Sequence, residues 1–184
     1  MTDKAMRLIR RRRVRPYRQG DLDGLCGVYS IVNAVRVICP EVDGDTAEDM
    51  FDVLMQKLLR TEDNPSMAVT WGIGRRTMTH LVTEAITYVL DEFDIRLRTR
   101  CLPKSVQQVG TLGRLWDHLE RTISPRRVAI LRLGGKHSHW TVAVKVTPLR
   151  IRLCDSDQIS FLQRRRCTIA RAAKQHSIRP HHVL

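Results

Sequence analysis

The spacing of apolar residues changes once along this chain, and that change limits what it can fold into. Up to about residue 122 they recur at helical spacing; beyond it they fall in short β-branched runs. Cys26 to about Ile38 reads as a buried helix, with Leu25, Val28, Tyr29, Val32, Val35 and Arg36 near one side and Pro40 marking its end. Asp45-Thr46 is expected to cap a second helix to about Leu59. Its Phe51, Leu54, Met55, Leu58 and Leu59 give the i, i+3, i+4, i+7 stripe of a core-facing surface. Thr61 to Gly74, around Asn64-Pro65, reads as a loop. Further helices are expected over Arg76–Phe93 and Thr111–Thr122, and Ile95–Cys101 alternates like a strand. The last third reads as strands at Arg127–Leu133, Trp140–Val146 and Arg150–Cys154, with Thr147-Pro148 as the turn between the last two. A strand near Ile159–Leu162, a short helix near Ile169–Gln175 and an edge strand over Ile178–Leu184 complete the expectation. Helices followed by an antiparallel sheet define an α+β domain. At 184 residues the chain fits one such domain, 19–184, behind a basic lead-in at 1–18 with a short strand around Val14–Tyr17.

Composition excludes some classes. No apolar run approaches the ~20 residues needed to span a membrane. The arginine-rich N-terminus lacks the apolar middle of a secretory signal, so the expected location is the cytoplasm. Five cysteines, Cys26, Cys39, Cys101, Cys154 and Cys167, match no zinc-knuckle or redox spacing and read as reduced thiols. Cys154, inside an apolar strand, reads as an inert core residue. The net charge of +13 is unevenly spread: residues 21–94 hold fourteen acids against five bases, and residues 95–184 hold nineteen bases against four acids. The basic C-terminal half suits contact with nucleic acid or another polyanion through counterion release. A solvated arginine-rich surface gives the same composition. With only three Trp, three Tyr and three Phe, base-stacking platforms are scarce.

The chemistry concentrates in four residues. In the segment Gln19-Gly20-Asp21-Leu22-Asp23-Gly24-Leu25-Cys26-Gly27, a turn-forming acidic stretch leads into a thiol at the start of an apolar helix. A cysteine is a useful nucleophile as thiolate, which unpaired helix N-terminal amides or a nearby imidazolium favour. The same imidazolium then protonates a leaving amine. His139 is the best partner. It begins a strand in which His139, Thr141, Ala143 and Lys145 share one face, while Trp140, Val142, Val144 and Val146 share the other, the core. Asp155 ends the next strand. A turn centred on Thr147 with an odd number of residues sets His139 directly opposite Asp155, where a carboxylate fixes the imidazole. An even-numbered turn spoils that pairing unless a bulge restores it. Gln19, with the Cys26 backbone N–H, is the candidate oxyanion donor.

Alternatives stand beside each assignment. His137 shares the face of His139 if the strand begins earlier, and Asp157 can replace Asp155. His80 and His118 fall on predicted helices and read as surface or boundary residues. The adjacent His181 and His182 offer two metal ligands and no third, and His137-x-His139 with Asp155-x-Asp157 is a metal-site alternative. Neither metal nor cofactor is called for. A buried helix cysteine is the plain reading of Cys26.

Gln19–Ala34, taken with His139-Trp140 and Asp155, resembles the papain-like cysteine peptidase superfamily, above all compact bacterial peptidases of the double-glycine-leader type. The resemblance covers about a quarter of the chain. It implies N-terminal helices packed on a C-terminal antiparallel sheet, with the nucleophile at the start of a central helix. It also implies Cys26 as nucleophile, His139 as general base and acid, Asp155 as orienting acid and Gln19 as oxyanion donor, acting on a peptide or protein substrate. The pattern departs in two places: Gln19 lies one position farther from the cysteine than is usual, and Leu25 stands where many members carry a polar residue. The same fold and residue order serve transglutaminases, deamidases and acyltransferases. An inactive papain-like module that binds nucleic acid or a partner protein through its basic half is the reading from another class.

Overall fold

The computed structural model describes residues 15–18, 24–108, 110–135, 138–169 and 175–184. The described residues form a mixed α and β structure. Its helices are α1 (Cys26–Ile38), α2 (Gly44–Thr61), α3 (Pro65–Trp71), α4 (Arg75–Phe93), α5 (Lys104–Gln108) and α6 (Leu112–Thr122). Its strands are β1 (Ala129–Gly135), β2 (His139–Val146), β3 (Arg150–Cys154), β4 (Phe161–Gln163), β5 (Cys167–Thr168) and β6 (His176–Ile178), in the sheet order β4-β3-β2-β1-β6-β5. Every neighbouring pair is antiparallel except β5 with β6.

α1 is the axis of the fold. It is buried on almost every side, by the sheet on one flank and by α2 and α4 on the other. One apolar core joins these helices to Ile130, Trp140, Val142 and Cys154 on the sheet. The opposite sheet face carries Leu131, Leu133, Ala143, Ile151 and Leu153, and α6 covers it with Leu115, Trp116 and Leu119. A sheet covered on both faces explains why Thr141 and Ala143 are as buried as Val142. The expectation of a single core face is corrected accordingly.

Other boundaries shift for local reasons. Asp43, not Asp45-Thr46, caps α2, its carboxylate accepting the Thr46 N–H at 3.0 Å and the Thr46 hydroxyl at 2.9 Å. Asn64-Pro65 opens a helix where a loop is expected: Asn64 accepts the Met67 N–H at 3.3 Å, and proline occupies the first helical position, where its missing N–H costs nothing. Ile95–Cys101 is not a strand. Ile95 and Leu97 do pack half-buried on the helical core, but the segment pairs with no strand of the sheet.

The strand expected over Ile178–Leu184 lies earlier, at His176–Ile178, and inside the sheet. Pro180 then starts a short 3-10 turn through His182. Leu184 exchanges both backbone hydrogen bonds with Ile130, at 2.9 and 3.1 Å. The helix expected near Ile169–Gln175 falls on residues 170–174, outside the described residues, as does Val14 of the expected N-terminal strand. Its remainder pairs with a side chain instead: the buried Asn33 accepts the Tyr17 N–H at 3.0 Å and donates to the Tyr17 carbonyl at 3.3 Å. Among the described residues no helix is long and apolar enough to cross a membrane.

Candidate active site

Cys26 is the first residue of α1, and crowding of backbone against backbone holds it there. Gly24, two residues before it, donates its N–H to the Val69 carbonyl. A Cβ on Gly24 would lie 2.5 Å from the Gly72 nitrogen and 2.9 Å from the Thr70 oxygen. Gly27, one residue after it, sits under Ile73, whose Cδ1 would be 2.6 Å from an added Cβ. The end of α3 and the loop that follows it therefore clamp both sides of the thiol. That loop is tied to the sheet as well, since the Trp140 indole N–H donates to the Ile73 carbonyl at 3.0 Å. Leu25, at the N-cap of α1, makes no side-chain cap hydrogen bond. The thiol donates to the Gly24 carbonyl at 3.7 Å, and the Trp140 backbone N–H donates to Sγ at 3.5 Å.

His139 and Asp155 arrive together on the β2–β3 hairpin. The expected odd-numbered turn is absent. Thr147 and Arg150 close a two-residue Pro148-Leu149 turn, with the Thr147 N–H donating to the Arg150 carbonyl at 2.9 Å. Counted from that turn alone, Asp155 would fall on the face opposite to His139. A bulge between Ala143 and Lys145 absorbs one residue, so that Val142 faces Cys154. The register then carries Asp155 to the position facing Thr141, on the same side as His139 and one step along the diagonal. From there Asp155 Oδ2 meets His139 Nε2 at 2.8 Å. The bulge also moves Val146 across the sheet, into the core that contains Ile151.

Asp155 is fixed independently of the histidine, since its Oδ1 accepts the backbone N–H groups of Asp157 at 2.9 Å and Ile159 at 3.0 Å. The structure thus separates two of the alternatives: Asp155 contacts the imidazole, and the exposed Asp157 serves only through its backbone. His137 lies outside the described residues, and so does Gln19, so neither is placed here. His80 is exposed on α4, and His118 lies on α6 with its proton affinity lowered by burial and then by Arg121.

Electrostatics tie the three groups into one unit. Burial disfavours a charged His139, but hydrogen bonds to Asp155 and Cys26, and the negative charge of both, outweigh it and raise its pKa to about 10. Asp155 is held below its ordinary 3.8: burial opposes this, and the hydrogen bond and charge of His139 prevail. With Nε2 committed to Asp155, Nδ1 is the ring nitrogen left for the sulfur. Burial lifts two of the core thiols, Cys39 and Cys154, to about 11 each, so neither of these competes as a nucleophile. What the sequence does not reveal is the Trp140 amide on the sulfur, because a backbone donor leaves no mark in residue type.

No family model, curated protein or solved structure matches this chain.

Proposed function

We propose that the protein is a thiol hydrolase, a cysteine peptidase acting on peptide or isopeptide bonds from a papain-like scaffold. One observation carries this reading: a thiol at a helix start, an imidazole whose proton affinity that thiol helps to raise, and a buried carboxylate 2.8 Å from one ring nitrogen of the imidazole. Cys26 as thiolate attacks the substrate carbonyl. The oxyanion that forms is met by the Cys26 backbone N–H and, in this reading, by the side-chain amide of Gln19. The imidazolium of His139 gives its Nδ1 proton to the leaving amine, and the acyl group remains on sulfur as a thioester. His139 then takes a proton from water, which attacks the thioester and frees the acid. Asp155 keeps the ring oriented and supports its positive charge throughout. An amine in place of water would turn the same chemistry into acyl transfer.

The test is iodoacetamide alkylation at pH 6 with peptide mass mapping of all five cysteines. Cys101, the exposed one, serves as the internal reference. Cys26, though only 4% exposed, is expected to react at least about tenfold faster than Cys101 and to lose that advantage in His139→Ala. A Cys26 that reacts no faster than Cys101 would sink the hydrolase reading. Salt-sensitive nucleic-acid binding that persists in Cys26→Ala would then favour a binding module.

A further inference from the structure

Around Trp140 stands a group of cations that the Cys26–His139–Asp155 unit does not use. Arg132 faces Trp140 in the β1–β2 register, so the two side chains share the sheet face that α1 covers. Its guanidinium carbon lies 5.5 Å from the Trp140 ring centroid. Arg179 joins the same face. Its backbone N–H donates to the Arg132 carbonyl at 3.1 Å, and its guanidinium lies across Gly134, where an added Cβ would be 3.1 Å from Nε. Glycine at 134 leaves the room. His182 sets its ring edge-on to the same indole, centroids 6.0 Å apart, and its buried Nδ1 has no hydrogen-bond partner among the described residues. Trp140 is also the residue whose amide touches the Cys26 sulfur. Arg132 and His182 therefore meet one indole, Arg179 lies beside them, and the backbone of the residue that carries the indole contacts the thiol.

Like charges brought together in a half-buried place destabilise one another. Burial and then Arg179 lower the proton affinity of Arg132, while the nearby Cys26 pulls it the other way. Burial, then Arg132, Arg179 and Arg75, lower that of His182. Among the described residues the ion pairs are Lys57–Glu84 and His139–Asp155, and no described carboxylate pairs with this group. An anion added from outside would relieve the repulsion. Paired guanidinium groups suit a carboxylate, whose two oxygens match their planar donors.

The geometry points to Arg132 and Arg179, with His182, as a subsite for a substrate carboxylate beside the bond that Cys26 attacks. The assignment rests on the thiol-hydrolase reading and adds the substrate class: a peptide with an acidic side chain, or a free C-terminal carboxylate, next to that bond.

Iodoacetate and iodoacetamide test this on the full chain. Both alkylate sulfur and release iodide, but only iodoacetate carries a carboxylate. The iodoacetate-to-iodoacetamide rate ratio at Cys26 is expected to exceed that of free N-acetylcysteine by about tenfold and to shrink as salt is raised. Cys101 does not serve as the reference for this ratio, because the Arg75 guanidinium donates to its sulfur at 3.6 Å. The ratio should fall to the N-acetylcysteine value in Arg132→Gln/Arg179→Gln. The charge-keeping Arg132→Lys/Arg179→Lys, which separates charge from packing, should retain part of it. A wild-type ratio equal to that of N-acetylcysteine would overturn the subsite. So would a low wild-type ratio that rises in Asp21→Asn/Asp23→Asn, because the cluster would then belong to the chain's own acidic loop. The iodoacetamide rate alone, with its dependence on His139, judges the thiol–imidazole reading separately. Two peptides then distinguish the carboxylate's source by protecting Cys26 from iodoacetamide. One is N-acetylated and C-amidated with an internal glutamate; the other is an N-acetylated alanine peptide with a free C-terminus. Protection by either, above an amidated alanine control, supports the subsite and names the source; protection by neither overturns it.

Discussion

Cys26 and the His139–Asp155 pair meet from distant parts of the chain, and different forces hold them. On the Cys26 side the position is set by shape: Gly24 and Gly27 allow the segment Thr70–Ile73 to close on the backbone around the thiol. On the hairpin side it is set by counting, since a two-residue turn and one bulged residue decide which face Asp155 takes. A site fixed by shape fails through added volume, and a site fixed by register fails through a change in residue number. The two halves should therefore break in different ways.

The largest effect tests whether the halves act as one unit. Cys26→Ala and His139→Ala should each abolish thiol-dependent turnover, by about 10³-fold or more, and the double variant should be no worse than either alone. Additive losses, read from single-turnover rates on a peptide substrate, would mean that the halves act separately. Asp155→Asn keeps an acceptor for the ring and should cost less than Asp155→Ala.

Acidity probes the same unit through stability. His139 rises from 6.5 unfolded to about 10 folded, so its contribution is complete below about 6.5, declines as pH rises and is gone near 10. Asp155 is depressed below 3.8, so its contribution is present above about 3.8 and lost as pH falls. Melting temperature should be highest between these limits. The alkaline decline should flatten in His139→Gln; an unchanged slope would place the titration elsewhere.

Volume should break only the shape-held side. Gly24→Ala meets backbone, and denaturant unfolding is expected to show a loss of about 3 kcal/mol that no side-chain truncation restores. Gly27→Ala meets the Ile73 side chain, with Cδ1 at 2.6 Å and Cγ1 at 2.7 Å, so a loss of about 1–3 kcal/mol should shrink when the change is made on an Ile73→Ala background. Equal rescue at both positions would contradict the distinction. The smallest effect sharpens the register side. Removing the bulged Val144 makes the ladder regular while keeping Val142 opposite Cys154. The His139–Asp155 hydrogen bond, followed by its downfield imidazole proton signal, should survive at a cost within about 1–2 kcal/mol.

This contrast also explains what could be read from sequence. Amphipathic stripes were enough to locate α2, α4 and α6, and the β-branched runs located β1 to β3. Cys26, His139 and Asp155 were legible because their chemistry depends on residue type and chain order. Register was not: whether Asp155 reaches His139 turns on one unpaired residue, and Val144 looks like any other strand valine. The short α3 was hidden because Asn64-Pro65 serves a turn and a helix start equally well. Arg132 and Arg179, forty-seven positions apart in sequence, reveal nothing until the Arg179 N–H meets the Arg132 carbonyl on β1.

The separation of 114 positions between the Cys26 sulfur and the Trp140 amide that contacts it has a consequence in time. At roughly 5–20 residues per second, a ribosome delivers the thiol on the order of ten seconds before the strand that completes its surroundings. During that interval Cys26 is an ordinary thiol on a helix with no imidazole beside it. Reactivity is therefore the last property this chain acquires as it is made, and an interrupted chain carries the nucleophile without the means to use it.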